Sequence, residues 1–324
     1  MKITRAWLYV GVFGLMANTI FAEDAILNKK GPVAGNILTD AAQFVKDSDT
    51  ELADDAAVGA DRDAMVVDLN NATALRTDVL KFFQDRASSF VIDVSVILDR
   101  RQFRVDVKPQ TGPLQKAPVG SSDLTTAVQK FQTDFNARVA AEAAIDVDFA
   151  NLQVSVLQLN AAAVTTNGNA YFHDRFSYFQ NRIYEAADVV NIKKIVKFKP
   201  ERIALTRPAK GKQLMVHVQQ FLTDRATWLT DEAAIAAARN NMFASIGTSS
   251  FEATVTTWLN ARHAHYVQGL QLAVDRQAMK VDVGLAKPEK VSGLKAQGKA
   301  EGAEDSLSVP DADLDQSDED NGEK

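Results

Sequence analysis

The sequence predicts a mainly α protein built from six tandem repeats of about 38 residues. Each repeat is expected to be a long amphipathic helix with a short extended connector, the six forming a bundle or a helical array. Three observations carry this. The stretch Asp61–Leu69 (DRDAMVVDL) recurs as Asp99–Val107 (DRRQFRVDV) and Asp275–Val283 (DRQAMKVDV), each starting 17 residues after an aromatic: Phe44, Phe82 and Trp258. Apolar residues around those aromatics recur at spacings of three and four, as in Leu75, Val79, Phe82, Phe90, Val94 and Ile97. Glycine and proline are scarce between a few polar inserts, and alanine is abundant, which favours helix.

The chain begins with Lys2 and Arg5, an apolar stretch Ala6–Met16, and small residues up to Ala22 before Glu23. That is the pattern of a secretory signal, so 1–22 is expected to be a signal peptide and 23–35 a leader. The apolar stretch is short for a membrane span, and no later segment is apolar for long enough to be one.

The repeat domain is expected over 36–285. Aligned on their aromatics, the units have origins at Phe44, Phe82, Phe131, Tyr178, Phe221 and Trp258. Gly120–Phe131 and Gly247–Trp258 match in spacing throughout, with Leu124 and Val128 standing where the other has Phe251 and Val255. Inserts are expected at Lys108–Pro118, Gln158–Ala170 and Lys197–Gly211. Thr73, Ser122 and Ser249 precede the apolar-periodic stretches and are the expected helix caps. Leu69–Val107 holds no Gly or Pro, enough for one helix of roughly 25–30 residues.

The second part of each unit reads two ways. Phe103, Val105 and Val107 alternate with charged residues, and so do Leu152, Val154 and Val156 with polar ones, a period-two pattern that suits a strand. Ala140–Ala144 and Glu232–Ala238 occupy equivalent places and are strongly helical in composition. The alanine-rich copies decide for helix, with the Val-Asp-Val segments as extended connectors. Repeats of helix plus β-hairpin, an α+β fold, are the alternative.

From Ala286 to Lys324 there is no aromatic, and Glu301–Lys324 holds ten acidic residues against one lysine. The tail therefore carries the acidity of a chain of net charge −6, and 286–324 is expected to be disordered. Without its ends the chain is close to neutral, which argues against nucleic acid as a partner. The chain has no cysteine, which excludes disulfides, thiolate metal sites and cysteine nucleophiles.

Four features point toward chemistry. Asp311–Gly322 has alternating acids like a calcium loop, but Gln316 and Gly322 stand where such a loop needs Gly and Glu, so only weak Ca²⁺ binding by the tail is expected. An arginine follows the aromatic by four in four units: Arg86, Arg182, Arg225 and Arg262. Stacked, these would form a column able to hold an anion, or an interface in which each pairs with a neighbouring carboxylate. The repeated Asp61-Arg62, Asp99-Arg100 and Asp275-Arg276 pairs are read as turn or interface residues, since catalytic residues are seldom copied into every unit. His263 and His265 stand two apart and would diverge on a helix, so no metal is assigned to them.

No phosphate-cradling glycine loop, nucleophile elbow, His-Glu-x-x-His or dinucleotide fingerprint is present. No catalytic residue, cofactor or metal ligand is assigned. The expected function is an exported, non-enzymatic structural or binding scaffold of a bacterial envelope or the extracellular space, with a protein, an envelope polymer or a second copy of itself as partner. A membrane-active, toxin-like helical protein is the alternative, followed by an enzyme with its site in the inserts around Asn160–His173 or Lys197–Lys212.

Overall fold

The computed structural model describes residues 35–287 apart from 202, 207, 209, 210 and 212. The expected signal peptide, nearly all of the leader and of the acidic tail, and the Asp311–Gly322 motif lie outside the described residues. Six helices account for most of the rest: α1 (Ile37–Val67), α2 (Ala72–Val107), α3 (Leu124–Leu157), α4 (Ala161–Ile195), α5 (Leu214–Ala244) and α6 (Phe251–Val283). At 31–36 residues each they run roughly 47–54 Å. No strand occurs among the described residues, so the mainly α reading holds and helix plus β-hairpin is not found.

The Val-Asp-Val segments are not extended connectors. Val105–Val107 and Val281–Val283 are the last turns of α2 and α6. The β-branched residues cost a helix only a few tenths of a kcal/mol each. Helical spacing buries Phe103 with Val107, and Met279 with Val283, four residues apart. The alternation that suggested a strand was incidental to that stripe.

Four helix starts are capped by a side chain, none of them an expected one: Asn71 and Asp123 stand two and one residues from Thr73 and Ser122, Asn36 and Asn160 were not expected, and the start of α6 after Ser249 has no side-chain cap. Asn36 accepts from the Leu38 and Thr39 N–H groups, Asn71 from Ala74, Asp123 from Thr126 and Asn160 from Ala163. The stretch 158–170 is no insert either. The chain turns at Gln158–Asn160, with Leu159 in the left-handed region (φ 53°), and α4 starts at once. Its Asn-Gly-Asn sequence suggested a loop, but Gly168 lies inside the helix because another helix presses on it. A Cβ there would stand 2.6 Å from Phe103 Cζ and 2.8 Å from Val107 Cγ2.

The helices form three antiparallel hairpins, α1/α2, α3/α4 and α5/α6. Each has a tip, at its internal turn, and a base, at its open end. Three apolar cores join them, each made where one base meets another hairpin's tip. Ala41, Phe44, Phe103 and Val107 at the base of the first pack on Phe149, Leu152, Val164, Tyr171 and Phe172 at the tip of the second. Ala127, Val128, Phe131, Val189 and Ile192 at the base of the second meet Ala238, Met242, Val255, Trp258 and Leu259 at the tip of the third. Val218, Phe221, Met279 and Val283 at the base of the third meet Met65, Leu75, Val79, Phe82 and Phe83 at the tip of the first. The contacts therefore close a cycle.

Corresponding positions in the three cores compensate in volume. Where the second and third cores pair Ile192 with Val255 and Met279 with Val79, the first pairs the larger Phe103 with Gly168. Gly168→Val should therefore overpack the first core and destabilise the protein by about 3 kcal/mol, while Gly168→Val with Phe103→Ile should recover most of the loss. Urea unfolding of the two variants reads this directly. Equal stability of Gly168→Val and the parent chain would refute the compensation.

Candidate functional site

The antiparallel pairing sets which side chains meet. Counting from Phe44, Phe82, Phe131, Tyr171, Phe221 and Trp258, the residue at +3 of one helix faces the residue at +17 of its hairpin partner. In α4 the origin is Tyr171 and not Tyr178. Tyr171 packs 5.6 Å from Phe44 and 6.2 Å from Phe149 in the first core, and it stands 11 residues after its cap, as Phe82 does.

Five of the six such meetings bring two aspartates together: Asp47 with Asp99, Asp61 with Asp85, Asp134 with Asp188, Asp148 with Asp174, and Asp224 with Asp275. The sixth brings together Ala238 and Ala261, so the acids are absent in pairs and never singly. A lysine joins two of the pairs. Lys81 Nζ reaches Asp61 at 2.6 Å and Asp85 at 2.7 Å, and Lys130 Nζ reaches Asp134 at 2.6 Å and Asp188 at 2.9 Å. Burial, reinforced by the facing carboxyl, pushes Asp99 and Asp275 up to about 7 and Asp148 to about 6. Asp188 also rises to about 6, because its burial outweighs the lysine.

Nearer the helix ends, residues at −4 face residues at +24, again in matched pairs. Asn167 Nδ2 donates to Ser155 Oγ at 2.7 Å, His217 Nδ1 lies 2.6 Å from Asp282 Oδ2, and the Ser245 and Thr254 hydroxyls are 2.5 Å apart. Asp40 meets Asp106, Asp68 meets Asp78, and Ala127 stands opposite Ile195. Asp40 and Asp78 both rise, chiefly through burial. Each combination is matched in kind: hydrogen-bonded, both acidic, or both apolar, with Asp78 Oδ2 and Asp106 Oδ2 of the acidic pairs buried without a hydrogen-bond partner.

The positions +4 and +18 lie just beyond each core, and here the three junctions differ. Between the first and third hairpins all four are arginine: Arg62, Arg86, Arg225 and Arg276, with Lys280 one turn on from Arg276. The first-to-second junction has Ser48, Arg100, Phe149 and Arg175 in those places, and the second-to-third has Phe135, Val189, Arg239 and Arg262. Burial and the neighbouring arginines together lower Arg62 to about 10, Arg276 to about 9 and Lys280 to about 8. Asp55, Asp63, Asp93 and Asp275 supply the nearby negative charge. Asp93 is itself pushed to about 7 by burial and by Glu51, Asp55 and Asp54. The Arg86 Nε is buried without a hydrogen-bond partner.

Of the four arginines singled out by spacing, Arg86 and Arg225 meet at this junction. Arg262 stands 5.3 Å from the Trp258 ring centre, beside Arg239 at the second-to-third junction. Arg182 lies 5.7 Å from the Tyr178 ring centre, one register away from the equivalent Arg175. They form no single column, because successive helices run antiparallel and the hairpins meet at three separate corners. Arg62 and Arg276, read from sequence as interface residues, complete the junction. Lys280 was not singled out, since its role arises only when α6 meets α2. Asp174 and Asp188 were missed because the origin of α4 was displaced by seven residues, and Asp148 because Phe149 follows it where the other copies have arginine.

His263 and His265 diverge. His263 Nε2 is 2.9 Å from the Glu201 carbonyl oxygen, while the His265 ring stacks on Trp228 with centres 4.7 Å apart. His173 is exposed, with Nδ1 3.2 Å from Asp174. Among the described residues no helix is long and apolar enough to cross a membrane, and no trio of His, Cys, Asp or Glu is placed to hold a metal ion. No protein-family model, curated protein or solved structure matches the chain.

Proposed function

We propose that the protein is an exported, non-enzymatic scaffold of a bacterial envelope or the extracellular space, built from six copies of one helical unit of about 38 residues. One observation carries this reading: the polar side chains between helices face one another at corresponding places in all three hairpins. Such a pattern serves assembly in every copy, whereas a catalytic centre needs one asymmetric constellation. The basic, apolar and small-residue sequence of Met1–Ala22 supports export. A protein or an envelope polymer is the partner class, and the acidic residues of Glu301–Lys324 add weak Ca²⁺ binding.

Two measurements test the proposal. A reporter active only after translocation, fused behind residues 1–30 in a bacterial host, should gain activity. Replacing Ala6–Met16 with polar residues should abolish it. Activity that survives that replacement overturns export. Turnover of an ester, phosphoester, glycoside or peptide substrate by the purified chain overturns the non-enzymatic assignment.

A further inference from the structure

We infer that the junction of the first and third hairpins is a binding site for a tetrahedral oxyanion, a phosphate or sulfate group, held by Arg62, Arg86, Arg225, Arg276 and Lys280. The inference stands apart from export and from the scaffold reading.

The architecture does not demand this charge. The two other junctions are built on corresponding positions, each with two arginines, the other places holding Ser48, Phe149, Phe135 and Val189. Some interhelical cations elsewhere are neutralised at contact distance, as where Arg138 Nε reaches Glu185 at 2.7 Å and Lys130 joins two aspartates. Arg239 at the second-to-third junction instead lies on the Phe135 ring, 3.9 Å from its centre. At the arginine junction, Arg62, Arg86, Arg225 and Lys280 form no salt bridge among the described residues. Their surrounding carboxylates act from further off. Lys280 lies over the Phe83 ring, 5.2 Å from its centre, within reach of the charges of Arg86 and Arg276. Like charges in a half-buried place repel, and an anion would relieve that repulsion.

The side chains suit the ligand. Guanidinium groups present paired N–H donors that match the oxygens of phosphate or sulfate, and several can share one such group from different directions. Here they come from four helices of two hairpins, with the unpartnered Arg86 Nε among them. Arg62 and Arg225 remain partly exposed and give the ligand its approach from solvent. A second phosphate attached to the first would find Lys280, one turn from Arg276.

The test is calorimetric titration and thermal melting of the purified full chain with inorganic phosphate, pyrophosphate and sulfate, against chloride at equal ionic strength. Saturable stabilisation is expected, with pyrophosphate bound at least tenfold more tightly than chloride. Arg62→Gln and Arg225→Gln should each weaken it at least fivefold. Arg239→Gln and Arg262→Gln at the neighbouring junction should leave it unchanged. Equal loss in all four variants, or no difference from chloride, would overturn the site and leave only general screening. Because Arg276 is the most interior of the group, the test uses the two half-exposed arginines, whose variants should melt cooperatively without ligand. Vesicles of an anionic phospholipid and soluble polyphosphate, compared at equal phosphate, then distinguish a lipid headgroup from a free anion as its source.

Discussion

Replacing Lys130 with methionine should destabilise the protein by about 2–3 kcal/mol, because it leaves two facing carboxylates of the second hairpin without their cation. Asp188 is almost fully buried, so its charge cannot be handed to water when the ammonium is removed. The corresponding place in the third hairpin shows what replaces the whole set without penalty, since Ala238 and Ala261 face each other there. Lys130→Met/Asp134→Ala/Asp188→Ala should therefore recover most of the lost stability, although it removes more polar groups than the single change. Urea unfolding with an unchanged slope is the measurement. A Lys130→Met variant within 0.5 kcal/mol of the parent (roughly the effect of an ordinary surface change) would show that the ion pairs are incidental.

The unfolding temperature should fall as pH rises from 5 to 8, by on the order of 10 °C. Burial raises Asp93, Asp99 and Asp275 to about 7, and Asp148 and Asp188 to about 6, from 3.8. Between pH 4 and 7 the folded chain thus holds protons that the unfolded chain has released. Stability is greatest toward the acid side of that window and is lost as these groups ionise in the fold. Screening by solvent leaves about 1 kcal/mol for each carboxyl, which sets the size of the shift. At higher pH the sign reverses. Burial and the like charge of Arg86 and Arg276 lower Lys280 to about 8, so its charged form burdens the fold until it loses a proton, while the arginines stay charged throughout. The melting curve should have its minimum near pH 8 and climb toward pH 10. A melting temperature that is flat or rising from pH 5 to 8 would contradict the protonated pairs.

The helical class and the aromatic origins were legible because burial of one stripe imposes a period on every helix, whatever its partners. Phe44, Phe82, Phe131, Phe221 and Trp258 lie in the cores, as their spacing requires. Gly168 was misleading for a tertiary reason: only the approach of Phe103 explains a glycine there, and Phe103 lies 65 residues away in sequence. Reading Gln158–Ala170 as an insert displaced the origin of α4 and hid Asp188 from the pattern already seen in Asp61, Asp99 and Asp275. The arginine junction was half legible. Spacing found Arg86 and Arg225, but their meeting depends on which hairpin docks on which, and a one-dimensional pattern does not encode that.

The Arg76 guanidinium donates to the carbonyl oxygens of Asp282 and Val283, more than 200 residues away and in the last turn of α6. Chain growth gives that contact a temporal meaning. A nascent chain can form its first two hairpins and join them while the third is still absent, but the apolar tip around Leu75, Val79 and Phe82 then has nothing to cover it. Its cover, which includes Met279 and Val283, is made far later, as the 206-residue span from Arg76 to Asp282 shows. The molecule is thus unable to hide this early hydrophobic surface until its third hairpin has been made, and a chain stopped short of that stays recognisably incomplete to any chaperone or protease that reads exposed apolar residues.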